Sequence, residues 1–212
     1  LLIWLFGERR ALAQSPQTLE VCESGCGYTS IQAAVDDANA GDTVLIRTGI
    51  YTEQVIVREK EDLSLQGEGI GQTVIRSPIS LTPVFTTSTP QLPVVSVISS
   101  TGVVVQDLTV DGAGRGNGNY HFSGIAYRNA GGRVTGVEIK GVREEPFNGN
   151  QHGVGLYAYA DQDTAQTLVV SNCYIHDFQK NGTALNGSGL TAEISDCVRE
   201  GAGPTRSTAQ TG

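Results

Sequence analysis

The stretch Tyr28-Thr-Ser-Ile-Gln-Ala-Ala-Val-Asp-Asp-Ala-Asn-Ala-Gly-Asp-Thr-Val-Leu-Ile-Arg-Thr-Gly-Ile-Tyr-Thr-Glu-Gln-Val-Ile-Val57 decides how the rest of this chain is read. Ser30 or Thr29 can cap a helix over residues 29–40, whose apolar positions Ile31, Ala34, Val35 and Ala38 share one face. Gly41 ends that helix, and Thr43 to Ile46 then reads as a buried strand of β-branched and aliphatic residues. A turn over Gly49 to Tyr51 follows, and a second apolar run, Val55-Ile-Val57, begins almost at once.

One amphipathic helix feeding a series of very short strands resembles the N-terminal cap and first coil of a right-handed parallel β-helix of the pectin lyase-like superfamily. That superfamily includes pectate lyases, pectinesterases and uncharacterised secreted β-helix proteins. Its usual motif has Pro before the turn glycine, and Thr48 stands there in this chain. The resemblance implies an all-β solenoid with a short N-terminal capping α-helix, acting on polysaccharide.

The chain aligns with itself from residue 103 onward. The segments begin at Val105, Val134, Val170 and Ile194 and run Val-Gln-Asp-Leu-Thr-Val-Asp, Val-Thr-Gly-Val-Glu-Ile-Lys, Val-Ser-Asn-Cys-Tyr-Ile-His and Ile-Ser-Asp-Cys-Val-Arg-Glu. Their third column, Asp107, Gly136, Asn172 and Asp196, holds residue types that tolerate a left-handed backbone, as a sharp bend between strands requires. Their fourth column is Leu108, Val137, Cys173 and Cys197, and their sixth is Val110, Ile139, Ile175 and Arg199. Apolar positions two apart point to one side of a strand. Successive bends are 29, 36 and 24 residues apart, one coil of a repeat architecture each. A second series, starting at Gly124, Gly153 and Gly182, is expected to keep pace. A β-sandwich would not need the same turn residue at each period. Four of the seven prolines fall between Ser77 and Pro93, which predicts a loop leaving the solenoid.

With 27 glycines, 17% charged residues and 212 residues in all, the chain suits a single all-β body with many turns. A net charge of −8 and a pI near 4.8 argue against nucleic acid or an anionic membrane as the main partner. An anionic polysaccharide would need local basic residues or a bound cation. Residues 1–13 begin apolar and end in Ala11-Leu12-Ala13, the form of a signal-peptidase site, and read as a signal-peptide remnant. The apolar run is too short to span a bilayer. Residues 14–212 form the β-helix domain, and Arg199 in an inward column together with a strandless tail after Gly201 reads as a solenoid cut short. A secreted or cell-surface location follows from the leader and the cysteines. Cys22 and Cys26 flank Glu-Ser-Gly and can close as a disulfide, with a stabilising effect of about 2 kcal/mol or less for so short a loop. Metal binding by the pair would need further ligands nearby, which the sequence does not supply. Cys173 and Cys197 stack in one column, as thiols or as a second disulfide.

The chemistry is less plainly written. Polygalacturonase-type hydrolysis would use aspartates with a Gly-His-Gly, and the nearest match is Gln151-His152-Gly153 without an Asp-Asp partner. The pectinesterase context Gly-x-Ile-Asp-Phe is absent. A lyase would bring Ca²⁺ on carboxylates; otherwise no cofactor and no metal site is expected. What remains is position. The loops before Gly124, Gly153 and Gly182 should lie about 4.8 Å apart along one edge. They gather Arg115, Tyr120, His121, Asn150, His152, Lys180 and Asn181, a set of aromatic, amide and basic groups suited to sugars. Polar loop ends facing water are the plainer reading. The ladder Asp111, Lys140, His176, Glu200 alternates in charge and reads as structural. Two functions stay open: a protein that binds or processes polysaccharide or a cell-surface glycan, as an enzyme of lyase or glycoside-hydrolase type, and a non-catalytic structural or adhesive repeat segment. No feature sets an oligomeric state.

Overall fold

A computed structural model describes residues 15–161, 163–201 and 210–212. The leader expected over residues 1–13 and most of the strandless tail lie outside the described residues. The described residues are all-β apart from one short helix, and their strands pair almost entirely in parallel. The strands form three ribbons around one buried apolar core.

The first ribbon stacks β1 (Thr18–Val21), β2 (Thr43–Ile46), β5 (Ser64–Gln66), the first half of β9 (Val103–Asp111), the first half of β11 (Gly132–Lys140), β13 (Gln166–Ser171) and β16 (Leu190–Ser195). The second stacks β3 (Gly49–Thr52), β6 (Thr73–Arg76), the second halves of β9 and β11, β14 (Tyr174–Phe178) and β17 (Val198–Gly201). The third stacks β4 (Val55–Arg58), β8 (Pro90–Ile98), β10 (Phe122–Arg128), β12 (Val154–Tyr159) and β15 (Asn181–Asn186).

The columns read from the sequence are the observed register. Val105, Val134, Val170 and Ile194 pair in turn, and the stack extends back through Leu65 and Val44 to Leu19. Val110, Ile139, Ile175 and Arg199 pair likewise, with Arg199 exposed where the aliphatic column ends. The bend column adopts the left-handed backbone its residue types foretold, with φ of 55°, 61°, 53° and 52° at Asp107, Gly136, Asn172 and Asp196. That bend turns each chain from the first ribbon into the second.

The second series is offset from the expected pairing. Ser123 pairs with Val154 and Leu156 with Thr183, so Gly124 lies beside Gly155 and then Gly182; Gly153 falls before the strand. A slip of two residues keeps every side chain on its face, so alternation alone could not tell the two registers apart.

The helix α1 (Ile31–Asp37) is shorter than 29–40, and β1 precedes it among the described residues. Ser30 is the N-cap, its hydroxyl accepting from the Ala33 N–H. The Glu53 carboxylate accepts from the Ile31 and Gln32 N–H groups, so a neighbouring coil finishes the cap. The helix ends at Ala38, three residues before Gly41, because Ala38 is already extended. Gly49–Tyr51 is not a turn but the start of β3, paired with β6.

The proline-rich segment does leave the ribbons, but only in part. It returns as a hairpin in which β7 (Phe85–Thr86) pairs antiparallel with Pro90–Gln91, and β8 already contains Pro90 and Pro93. Pro93 is tolerated because β4 reaches only Val95–Ile98, leaving that edge of β8 without a ladder partner.

Thr48 now has a reason. Its N–H and hydroxyl both donate to Glu68, at 2.7 and 2.8 Å, and a proline could not have made the first bond. Arg47 bridges Glu68 and Glu20, at 2.9 Å each. Hydrogen bonds from Arg47 and then Thr48 hold the Glu68 carboxyl at about 2, against an ordinary 4.5. A carboxyl whose folded pKa is depressed contributes stability above pH 4.5 and loses it as pH falls toward about 2. Glu68→Gln is therefore expected to flatten the fall of the thermal midpoint across that window, and added salt should shrink the difference because the site is exposed. Identical acid profiles for the two proteins would contradict this clamp.

Cys22 and Cys26 form a disulfide, with Cα atoms 5.7 Å apart, between β1 and α1. Cys173 and Cys197 are free thiols, and burial pushes Cys173 up to about 12. The charge ladder is reorganised. Asp111 pairs with Arg76 at 3.2 Å, whereas Lys140 and His176 both turn to Glu138, at 2.9 and 3.1 Å. No helix among the described residues is long and apolar enough to cross a membrane.

Candidate functional site

The outer side of the third ribbon carries a groove, and the hairpin of β7 and β8 forms one wall. Alternation along β10 and β12 puts Tyr127 and Ala158 in the core, and Arg128, Tyr157 and Tyr159 outside. Phe85 of the hairpin stacks on Tyr157 with nearly parallel rings 6.2 Å apart. Two adjoining clefts share Thr87, Ser88 and Tyr157. The wider, about 550 Å³, is lined by Arg128, Tyr159, Asp161 and Asn186. The deeper, about 210 Å³, is lined by Gln91, His121, Phe122, Ser123, Gln151 and His152.

In the wider cleft the Arg128 guanidinium lies 4.8 Å above the Tyr159 ring and pairs with Asp161 at 2.8 Å. Asn129 also donates to Asp161, at 2.9 Å. Hydrogen bonds from Asn129 and Arg128 hold the Asp161 carboxyl below its ordinary value. Among the described residues, Arg128 and Asp161 are the only formally charged side chains lining either cleft, and they neutralise each other.

The end of the deeper cleft is built by the loops before β10, β12 and β15. His121 takes a left-handed backbone at φ 58°, which ends the loop and starts β10. Tyr120, exposed itself, lays its edge on both imidazoles, 4.3 Å from His121 and 5.1 Å from His152. Behind His152 lies Glu144, only 5% exposed. Asn150 Nδ2 donates to both of its oxygens at 2.9 Å, and Gln179 Nε2 donates at 3.1 Å. Gln179 is fully buried and also accepts from the Glu144 N–H at 2.8 Å, so it clamps the residue from both ends. Burial opposes the Glu144 charge, yet hydrogen bonds from Gln179, Asn150 and Asn148 outweigh it and hold the carboxyl below its ordinary value. His152 Nε2 lies 3.6 Å from that carboxylate. Burial lowers the His152 pKa, with Glu144 working against the shift and His121 adding to it. Burial lowers His121 as well. Both rings are thus neutral at pH 7.

Of the seven residues singled out from sequence, Tyr120, His121, Asn150 and His152 come together here. Arg115 is drawn elsewhere, donating to the Ser77 carbonyl while its own carbonyl accepts from Asn119. Lys180 and Asn181 are on the same side but do not line the clefts; the Lys180 N–H donates to Gly153 O at 2.9 Å, and the Asn181 amide donates to Thr211. Sequence reasoning missed Ser123, Gln179, Arg128, Tyr157 and Tyr159. The last three lie just past the short runs 124–127 and 153–156 that the sequence offered as strands, on which no inward face had been assigned. Ca²⁺, which a lyase would require, finds no cluster of three or more His, Cys, Asp or Glu side chains among the described residues.

No protein-family model matches the chain, and no curated protein matches it by sequence. Solved structures do. A mutant pectin methylesterase in complex with hexasaccharide IV matches at a TM-score of 0.55 and 14% identity, over 95% of this chain and 71% of that one. The pectin methylesterase in complex with hexasaccharide VII matches at 0.55 and 13%, with the same coverage. The ORF18 protein of Geobacillus virus E2 matches at 0.50 and 16%, over 85% of this chain and 40% of that one. At these identities the likeness shows the fold alone: an all-β chain of mostly parallel, stacked strands whose structural neighbours are β-helix proteins.

Proposed function

We propose that this protein binds, and acts on, polysaccharide laid along the third ribbon, in an extracytoplasmic setting where the Cys22–Cys26 bond is maintained. In this reading the three ribbons close into a solenoid and α1 caps its first coil.

The observation that carries the proposal is the groove itself. It presents Tyr157, backed by Phe85, and Tyr159 as aromatic surfaces for sugar rings, with Gln91, Asn186, Ser88 and Thr87 to meet hydroxyls. Its charges cancel, and the whole chain carries −8, so an uncharged or esterified glycan fits better than a polyuronate. Titration calorimetry with neutral, O-acetylated and uronate oligosaccharides tests this. Binding of the first two with weaker or no binding of uronate is the expected result. Failure of all three would leave the structural-repeat function standing in its place.

A further inference from the structure

We propose that Ser123, His152 and Glu144 are a nucleophile, its general base and the group that orients the base, set to cleave an O-acyl ester on a glycan hydroxyl. The inference rests on the reading of the groove as a glycan site.

Three buried side-chain atoms among the described residues have no hydrogen-bond partner: Thr89 Oγ1, Ser123 Oγ and His152 Nδ1. Buried polar atoms rarely go unpaired in a native fold, and an exception asks for a reason. Two of these three belong to residues lining the same cleft. Ser123 is 2% exposed and His152 4%, so neither simply faces water. The strand register brings them together, since Ser123 pairs with Val154, two residues after His152, in the next coil.

The chemistry of each atom follows from its neighbours. The Glu144 carboxylate lies 3.6 Å from Nε2, beyond hydrogen-bond reach but close enough to favour the tautomer with the ring hydrogen there, and on that ground Nδ1 is assigned as the basic lone pair. Four hydrogen bonds pin Glu144: two from Asn150 and one from Gln179 to its carboxylate, and the bond from its own N–H to Gln179. A hydroxyl, an imidazole and a fixed carboxylate are the parts of an activated nucleophile, here with the imidazole nitrogens in exchanged roles. Ser123 and His152 are not bonded to each other without substrate, as is common for catalytic pairs before the substrate arrives. Glycoside hydrolysis would need two carboxylates across the scissile bond, and no residue lining the deeper cleft carries one.

Ser123 Oγ would attack the ester carbonyl carbon while its proton passes to His152 Nδ1. The adduct then breaks its bond to the alkoxy oxygen, and the sugar hydroxyl leaves with that proton. A water molecule, deprotonated by the same nitrogen, attacks the seryl ester. The carboxylic acid departs, and the serine hydroxyl is restored. His152 suits this as a neutral base, because burial keeps it from holding a proton at pH 7 while Glu144 and His121 act on it in opposite directions.

The test uses a fluorophosphonate, p-nitrophenyl acetate and O-acetylated xylo-oligosaccharide as probes. The expected result is one phosphonate adduct, mapped by mass spectrometry to Ser123, and acetate release reduced about 100-fold or more in both Ser123→Ala and His152→Ala. Glu144→Gln should keep the fold, lower kcat, and move the acid limb of kcat/KM to lower pH, because it removes the charge that raises His152. A merely structural Glu144 would leave that limb in place. Wild-type protein that binds the acetylated oligosaccharide but forms no adduct at Ser123 overturns the inference and spares glycan binding. Protein that neither binds nor reacts overturns both.

Discussion

Tyr127→Ala is expected to remove about 3–5 kcal/mol of stability, the range for truncating a buried aromatic side chain. The ring is fully buried at the centre of the third ribbon, inside the single core that all three ribbons share. Its hydroxyl reaches two carbonyls across the core, Val103 and Arg133, at 3.4 Å each. Burial raises its pKa well above the ordinary tyrosine value, so it stays a neutral donor at any pH the fold survives. Total stability for a domain is about 5–15 kcal/mol, so this one change could consume a large share of it. In a urea titration the midpoint should fall sharply with an unchanged slope. Tyr127→Phe, which keeps the ring and loses one long hydrogen bond shared between the two carbonyls, should cost about 1 kcal/mol. Equal costs for the two variants would mean that the ring is not packed as described.

Gly155→Ala should cost about 1–3 kcal/mol through overpacking. A Cβ there would sit 2.4 Å from Ile175 Cγ2 and 2.6 Å from the Gly182 carbonyl oxygen, one a core side chain and the other the backbone of the next coil. The Gly182 carbonyl can move aside only by parting β12 from β15, and the Ile175 side chain, 1% exposed on β14, is held in the packed core. The same change at Gly27, where a Cβ would meet nothing within 4 Å, should be nearly silent in a matched denaturation experiment. The pair also tests the corrected register of the third ribbon, because the expected pairing put Gly153 beside Gly182 rather than Gly155.

These two positions mark how far the sequence could be read. The first two ribbons were legible from residue 103 onward because the coils repeat an aliphatic residue, a left-handed Asp, Asn or Gly two places on, and apolar positions one and three places after that bend, until Arg199 breaks the last column. The bend residue acts as a register mark, since few residue types tolerate that backbone. The third ribbon lacks such a mark. Its coils are joined by loops of differing length, and glycines at 153 and 155 both satisfied the alternation. The helix was overextended because its apolar spacing continues through Ala38, whereas the Glu53 cap and the extended backbone at Ala38 are tertiary facts.

The site was legible only as a neighbourhood. Tyr120, His121, Asn150 and His152 could be grouped because three loops had to share one edge. Glu144 sits in a run, Arg-Glu-Glu-Pro, that reads like any solvated loop. Nothing local foretells that Gln179, 35 residues away, will bury it. Ser123 gave no signal at all, since a serine opening a strand is ordinary and its missing partner appears only when the coils are stacked.

The most direct measurement is a hydrogen-exchange footprint of the wild-type protein with and without an O-acetylated neutral oligosaccharide. Bound glycan is expected to slow exchange over residues 85–91, 121–128 and 152–159, the hairpin and the two central strands of the third ribbon, while β2, β5, β13 and β16 of the first ribbon stay unchanged. Protection on the first ribbon instead, or no protection anywhere at saturating oligosaccharide, would contradict a glycan site in this groove.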